Sequence, residues 1–96
     1  MRAYETMFII DPHLDENVRK ETIEKVKEFI SQNGGNVKKV DDWGIRELAY
    51  EIKKRNEGHY VVIEFETENN QLPLKLRDYF RFEPNILRSI VVREDE

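Results

Sequence analysis

Cysteine is absent from the chain. That removes disulfide frameworks, zinc–thiolate sites and thiol redox motifs, and it is compatible with a reducing compartment. There are two histidines, His13 and His59. Neither stands at metal-ligand spacing from another histidine or a carboxylate pair, and both read as solvated structural residues with no positioned acid–base partner. No glycine-rich turn precedes a helix pattern. Gly34-Gly35 follows one, so a helix stop is predicted in place of a nucleotide loop. The longest apolar runs fall well short of a bilayer span, and Met1-Arg2-Ala3-Tyr4-Glu5 enters a strand pattern without a signal-like segment, so a soluble intracellular chain with no membrane partner is expected. A basic excess is missing too. The chain is 38% charged yet carries a net formal charge of −4, against the usual pattern of a nucleic-acid binder. No cofactor, metal ion or small-molecule substrate is expected, and no catalytic residue is assigned.

What is present is a regular alternation of element signals over 96 residues, enough for one domain spanning 1–96. Tyr4, Thr6, Phe8 and Ile10 alternate with Ala3, Glu5, Met7 and Ile9, the period of a strand. Asp11-Pro12-His13 breaks it, and Asp15 is placed to cap a helix whose stripe is Val18, Thr22, Val26, Phe29, Ile30 and Asn33. A long second strand is predicted over 37–52, with a bulge near Gly44 because Val37 and Val40 differ in phase from Leu48, Tyr50 and Ile52. A third strand follows over 58–66, with Val61, Ile63 and Phe65 facing one way and Tyr60, Val62 and Glu64 the other. Leu72, Leu76, Tyr79 and Phe80 make a second helical stripe, with Pro73 in its first turn. Residues 86–93 supply the last strand.

The order β-α-β-β-α-β, with short connections and right-handed crossovers, predicts an α+β ferredoxin-like split β-α-β sandwich. Two helices should cover one face of a four-stranded antiparallel sheet in the order 4-1-3-2. The other face is left open, with Met7, Ile9, Tyr60 and Val62 on it, and an uncovered apolar cluster of this kind suits a partner. Acylphosphatases share the topology but need an anion-cradling loop after strand one, where this chain has a carboxylate and a proline. RNA-recognition motifs share it too, but Glu57-Gly58-His59-Tyr60-Val61 lacks the basic start and the small residue of their third-strand signature. Base stacking on the sheet is therefore disfavoured.

Charge placement carries the remaining signal. Lys53-Lys54-Arg55 sits at a predicted hairpin tip, where a solvated turn is the ordinary outcome. With Arg2, Arg46, Arg88 and Arg93 it makes a phosphate-facing rim only if the sheet brings these residues together. Asp41, Asp42, Arg46 and Glu47 load a predicted edge strand with both signs of charge around Trp43 and Ile45. Such charges guard an edge against aggregation, and the same charges can code for one matched protein partner.

The segment Gly44-Ile45-Arg46-Glu47-Leu48-Ala49-Tyr50-Glu51-Ile52-Lys53-Lys54, followed by Gly58 and Tyr60, closely resembles the bacterial-type small ribosomal subunit protein six family. Met1-Arg2-Ala3-Tyr4-Glu5, Pro12, Leu14, Asn85-Ile86-Leu87-Arg88 and Val91-Val92-Arg93 extend the likeness nearly end to end. The resemblance implies a ferredoxin-like fold, no enzymatic activity and a structural role in the small ribosomal subunit. It also implies pairing with small-subunit protein eighteen and joint binding to the central domain of the small-subunit ribosomal RNA. Carried onto this chain, it makes Arg2, Arg88 and Arg93, with Lys53 and Lys54, the RNA-facing candidates. It makes Asp41, Asp42, Trp43, Arg46 and Tyr60 the candidates for the protein partner. Glu47 stands where relatives can be basic, which alters charge matching with that partner. The short acidic tail Glu94-Asp95-Glu96 lacks a long extension, so no tail function is expected. The competing reading is a protein-interaction or small-ligand regulatory domain of the same fold that binds no RNA.

Overall fold

In the computed structural model the backbone is described for residues 1–52 and 55–94, and side chains for 1–47 and 56–94. Six elements follow in chain order: β1 (Arg2–Ile10), α1 (Glu16–Gln32), β2 (Gly35–Ile52), β3 (Arg55–Thr67), α2 (Leu72–Arg81) and β4 (Ile86–Arg93). The four strands form one antiparallel sheet in the order β2-β3-β1-β4, which is the expected 4-1-3-2 read from the other side. The fold is ferredoxin-like.

Local chemistry accounts for the boundaries. Asp15 caps α1 by accepting the Asn17 backbone N–H at 2.7 Å, satisfying a donor that the first helical turn leaves open. Beyond its last turn the chain reverses through Gly34, whose φ of 87° is the left-handed conformation that glycine adopts without a Cβ penalty. Gly35 is needed for a different reason. A Cβ there would lie 2.5 Å from Ile30 Cγ2 and 2.7 Å from Leu72 Cδ2, so the start of β2 passes too close to both helices for any side chain. Thr67 Oγ1 then donates to Gly34 O at 2.9 Å, and Asn69 Nδ2 to Asn33 O at 3.0 Å, tying the helix end to the end of β3.

One face of the sheet is the core. Tyr4, Phe8 and Ile10 of β1 and Val61, Ile63 and Phe65 of β3 pack against Ile23, Val26 and Ile30 of α1 and Leu72, Leu76 and Phe80 of α2. Ring pairs fix the layers: Phe8 with Phe80 at 5.3 Å, Tyr4 with Phe65 at 5.6 Å, and Phe29 with Tyr79 at 4.7 Å between the helices. Burial raises the Tyr79 phenol above its ordinary value, with smaller upward contributions from Glu83 and Glu28.

Several sequence expectations are corrected. Val18 is exposed and Ile23 is buried: the buried stripe of α1 consists of Thr22, Ile23, Val26 and Ile30 and starts one turn later than expected. Strands β2 and β3 pair along each other from Gly35 with Thr67 to Ile52 with Arg55, so both run longer than predicted. The bulge near Gly44 is present as a register shift between Asp42 and Gly44, where Gly44 has φ 75°. A second shift between Val37 and Lys39 was not foreseen. His59 is buried rather than solvated, at 6% exposure. It sits between two charged side chains brought to it by α1 and β2.

Candidate functional site

The pairing register sorts the second face residue by residue. Met7 stands opposite Val62 on one side and Ile90 on the other, and Ile9 stands between Tyr60 and Arg88. These residues alternate with the core positions of their strands and form the sheet face that the helices leave uncovered. Met7, Ile9, Tyr60 and Val62 lie there as expected. Ile9 and Val62 are largely covered by their neighbours, so the apolar surface offered to solvent comes from Ile90 (55% exposed), Val92 (45%) and Trp43 (40%). Ile90 and Val92 were missed in the sequence. Their even spacing from Arg88 along β4 was the available signal.

Charge on this face is divided. Toward the Arg2 end, Glu5 faces Glu64 directly across β1 and β3, and Ala3 faces Glu66. Lys39 stands opposite Glu64, and Lys38 Nζ lies 3.8 Å from Glu66. Toward the other end, Arg88 on β4 and Arg46 on β2 bracket the face about 16 Å apart, three strand spacings across and two residues along. A shallow depression lined by Met7, Ile9, Arg88 and Ile90 lies between β1 and β4.

The arginines do not form one rim. Arg93 pairs with Tyr4, a core-side residue, and therefore points to the helix side of β4, whereas Arg88 points to the open side. Arg2 pairs with Thr67 and is a diagonal neighbour of Arg93. The sheet thus brings Arg2 and Arg93 together at one end and leaves Arg88 about 20 Å away along β1. All three are exposed. Lys53 and Lys54 lie outside the described residues.

The β2 edge gathers most of the second candidate set. Trp43 stacks on Tyr60 with ring centroids 6.1 Å apart and planes 17° from parallel. Arg46 Nε donates to Trp43 O at 3.1 Å, and Trp43, Arg46, Glu47 and Tyr60 line one surface hollow. Asp41 stands opposite Val62 on the same side of the sheet. Asp42 faces the other way. Its Oδ1 accepts from Gly44 N–H at 2.9 Å, closing the bulge, and lies 2.6 Å from His59 Nε2. On the far side of the imidazole, Arg19 Nη1 lies 2.8 Å from Nδ1, while Arg19 Nε donates to Leu14 O at 3.1 Å. Arginine can only donate, so Nδ1 is the acceptor and the ring proton sits on Nε2, donating to Asp42. One hydrogen-bonded chain therefore runs from the loop before α1 through Arg19 and His59 to the β2 bulge. It holds the backbone that carries Trp43.

Among the described residues, every buried side-chain nitrogen or oxygen has a hydrogen-bond partner.

Comparison with known proteins gives this surface a setting. A family model described as Ribosomal protein S6 matches residues 3–93. The chain belongs to the ribosomal protein S6 family. Small ribosomal subunit protein bS6 of Clostridium novyi (strain NT) is 47% identical over 96 residues, covering all of both chains. The bS6 protein of Aquifex aeolicus (strain VF5) is 41% identical, across all of this chain and 89% of the relative. Among solved structures, the 30S ribosomal protein S6 of Thermotoga maritima superposes with a TM-score of 0.92 at 41% identity, covering 97% of this chain and 87% of that one.

As an S6-family protein the chain is a component of the small ribosomal subunit and so of the cytoplasmic ribosome. The family is one of structural ribosomal proteins. In this S6-family member, the segment that carried the resemblance begins at the Gly44 bulge and continues along the outer half of β2, beside the Trp43–Tyr60 stack.

Proposed function

We propose that this S6-family chain acts as a single domain, residues 1–96, that performs no chemistry and binds the central domain of the small-subunit ribosomal RNA as one half of a heterodimer with small-subunit protein eighteen. The observation that carries the reading is the bare sheet face bordered by the Trp43–Tyr60 stack, with Asp41 and Arg46 beside it. A stacked aromatic pair rimmed by charges of both signs is the composition of a protein-binding anchor. The Arg19–His59–Asp42 chain fixes the bulge that presents this anchor, so the surface is set before the partner arrives.

RNA contact is assigned to Arg2 with Arg93 at one end and to Arg88 at the other, reaching phosphates rather than base edges. With a net charge of −4 the chain alone binds RNA weakly, and its partner supplies much of the phosphate neutralisation. Lys53 and Lys54 stay RNA-facing candidates on the family resemblance alone.

The test is a titration of a central-domain RNA fragment with this protein, with and without protein eighteen, across a salt series. Replacing Arg2 or Arg88 with Ala should each lower the slope of log K against log salt by about 1 in the presence of the partner. Trp43→Ala should weaken the heterodimer tenfold or more, on the order of 1.4 kcal/mol. Unchanged slopes for both Arg2 and Arg88 remove them from the RNA surface. A chain that does not sediment with small subunits returns the reading to an RNA-independent interaction domain.

A further inference from the structure

The sheet has two edges, and β2 is the more heavily guarded against pairing, although β4 carries Arg88 and Arg93. Strand β2 carries three register shifts and the charges of Asp41, Asp42, Arg46 and Glu47. Strand β4 pairs with β1 without a shift from Ile9 with Arg88 to Tyr4 with Arg93, and its sequence Ile-Leu-Arg-Ser-Ile-Val-Val-Arg holds neither proline nor glycine. Those are the features that leave an edge open to another strand.

Its hydrogen-bonding direction is fixed on the page. Glu94 N–H donates to Ala3 O at 2.9 Å, and Ile90 O accepts from Thr6 Oγ1 at 2.8 Å, so residues 90 and 94 aim their backbone groups at β1. By antiparallel alternation Ser89 and Val91 aim theirs outward from the sheet. On the open face the same strand displays Arg88, Ile90, Val92 and Glu94 at every second position, all exposed. The order is basic, apolar, apolar, acidic, a pattern that complements itself when a second copy runs antiparallel.

We propose that β4 pairs with β4 of a second copy about a two-fold axis at Val91, joining two sheets into one of eight strands. This register sets Arg88 against Glu94 of the second copy and Ile90 against Val92 of the second copy. It also matches outward backbone groups with outward backbone groups, Val91 facing its own copy. An axis at Ile90 sets Arg88 against Val92, and an axis at Ser89 sets it against Ile90, so both lose the charge pair. Arg88 carries five N–H donors and can serve a second carboxylate besides its contacts within its own chain. The contact is small, as weak associations are, and the dimer should build up between roughly 10 µM and 1 mM.

Sedimentation equilibrium of the full chain without RNA, at low salt and with circular dichroism to verify folding, tests this. Val92→Lys should weaken association at least tenfold, and Arg88→Glu should weaken it by placing two carboxylates face to face. The double exchange Arg88→Glu with Glu94→Arg should restore association to within about threefold of the parent, since the pair is then reversed. A chain that stays monomeric throughout, or a dimer indifferent to Val92→Lys, overturns the proposal. A dimer sensitive to Val92→Lys but not restored by the double exchange overturns the register. The measurement contains no nucleic acid, so its outcome is separate from that of the RNA reading.

Discussion

On its covered side the sheet presents Phe8, Ile10, Val61, Ile63 and Phe65 to two helices, all of them sealed from water. On its bare side the same strands present Met7, Ile9, Tyr60 and Val62, with Ile90, Val92 and Trp43 half open to solvent. Both sides are apolar along their middle, so hydrophobicity alone does not tell them apart. The difference lies in what surrounds the apolar middle. The covered side meets helix stripes that are themselves apolar, whereas the bare side is bounded by Glu5, Glu64, Glu66, Arg46 and Arg88. A charged border offsets the apolar middle of the bare face where no helix lies over it, so the two sides differ in their surroundings more than in their hydrophobicity.

Substitutions can break that contrast or sharpen it. The largest effect belongs to the covered side. Phe8→Ala should cost about 3–5 kcal/mol in urea unfolding, the price of a cavity beside Phe80. Gly35→Ala should come next, costing about 1–3 kcal/mol as the new methyl is driven into Ile30 and Leu72. His59→Ala should cost about 1–2 kcal/mol, because Arg19 and Asp42 lose their shared partner while Asp42 remains half exposed to water. The same variant should disturb the Trp43–Tyr60 stack, visible as a change in tryptophan fluorescence of the folded protein. Smallest of all, Ile90→Thr on the bare side should move stability by no more than about 0.5 kcal/mol. If Ile90→Thr were as costly as Phe8→Ala, the two sides would not be distinct and the functional reading of the bare one would lose its basis.

The fold was legible because its signals are local. The alternation in β1, the Asp15 cap, the Gly34 reversal and the Pro73 start of α2 each act over a few residues, and topology follows from their order and the handedness of crossovers. The bulge at Gly44 was legible for the same reason, as a change of phase. The Arg19–His59–Asp42 chain was not, since its members are 40 and 17 residues apart and meet only after the sheet forms. Nor was the need for glycine at position 35, which comes from two helices converging on one backbone. The division of the arginines lay in plain view. Arg88 and Arg93 are five apart on one strand, an odd step, and an odd step cannot keep two side chains on one face.

Glu5 and Glu64, held face to face across β1 and β3, give the bare surface a built-in discomfort. Lys39 stands beside Glu64 but leaves two acids to one base at that spot. A cationic group set beside Glu5 and Glu64 would meet two facing carboxylates at once and offset their mutual repulsion.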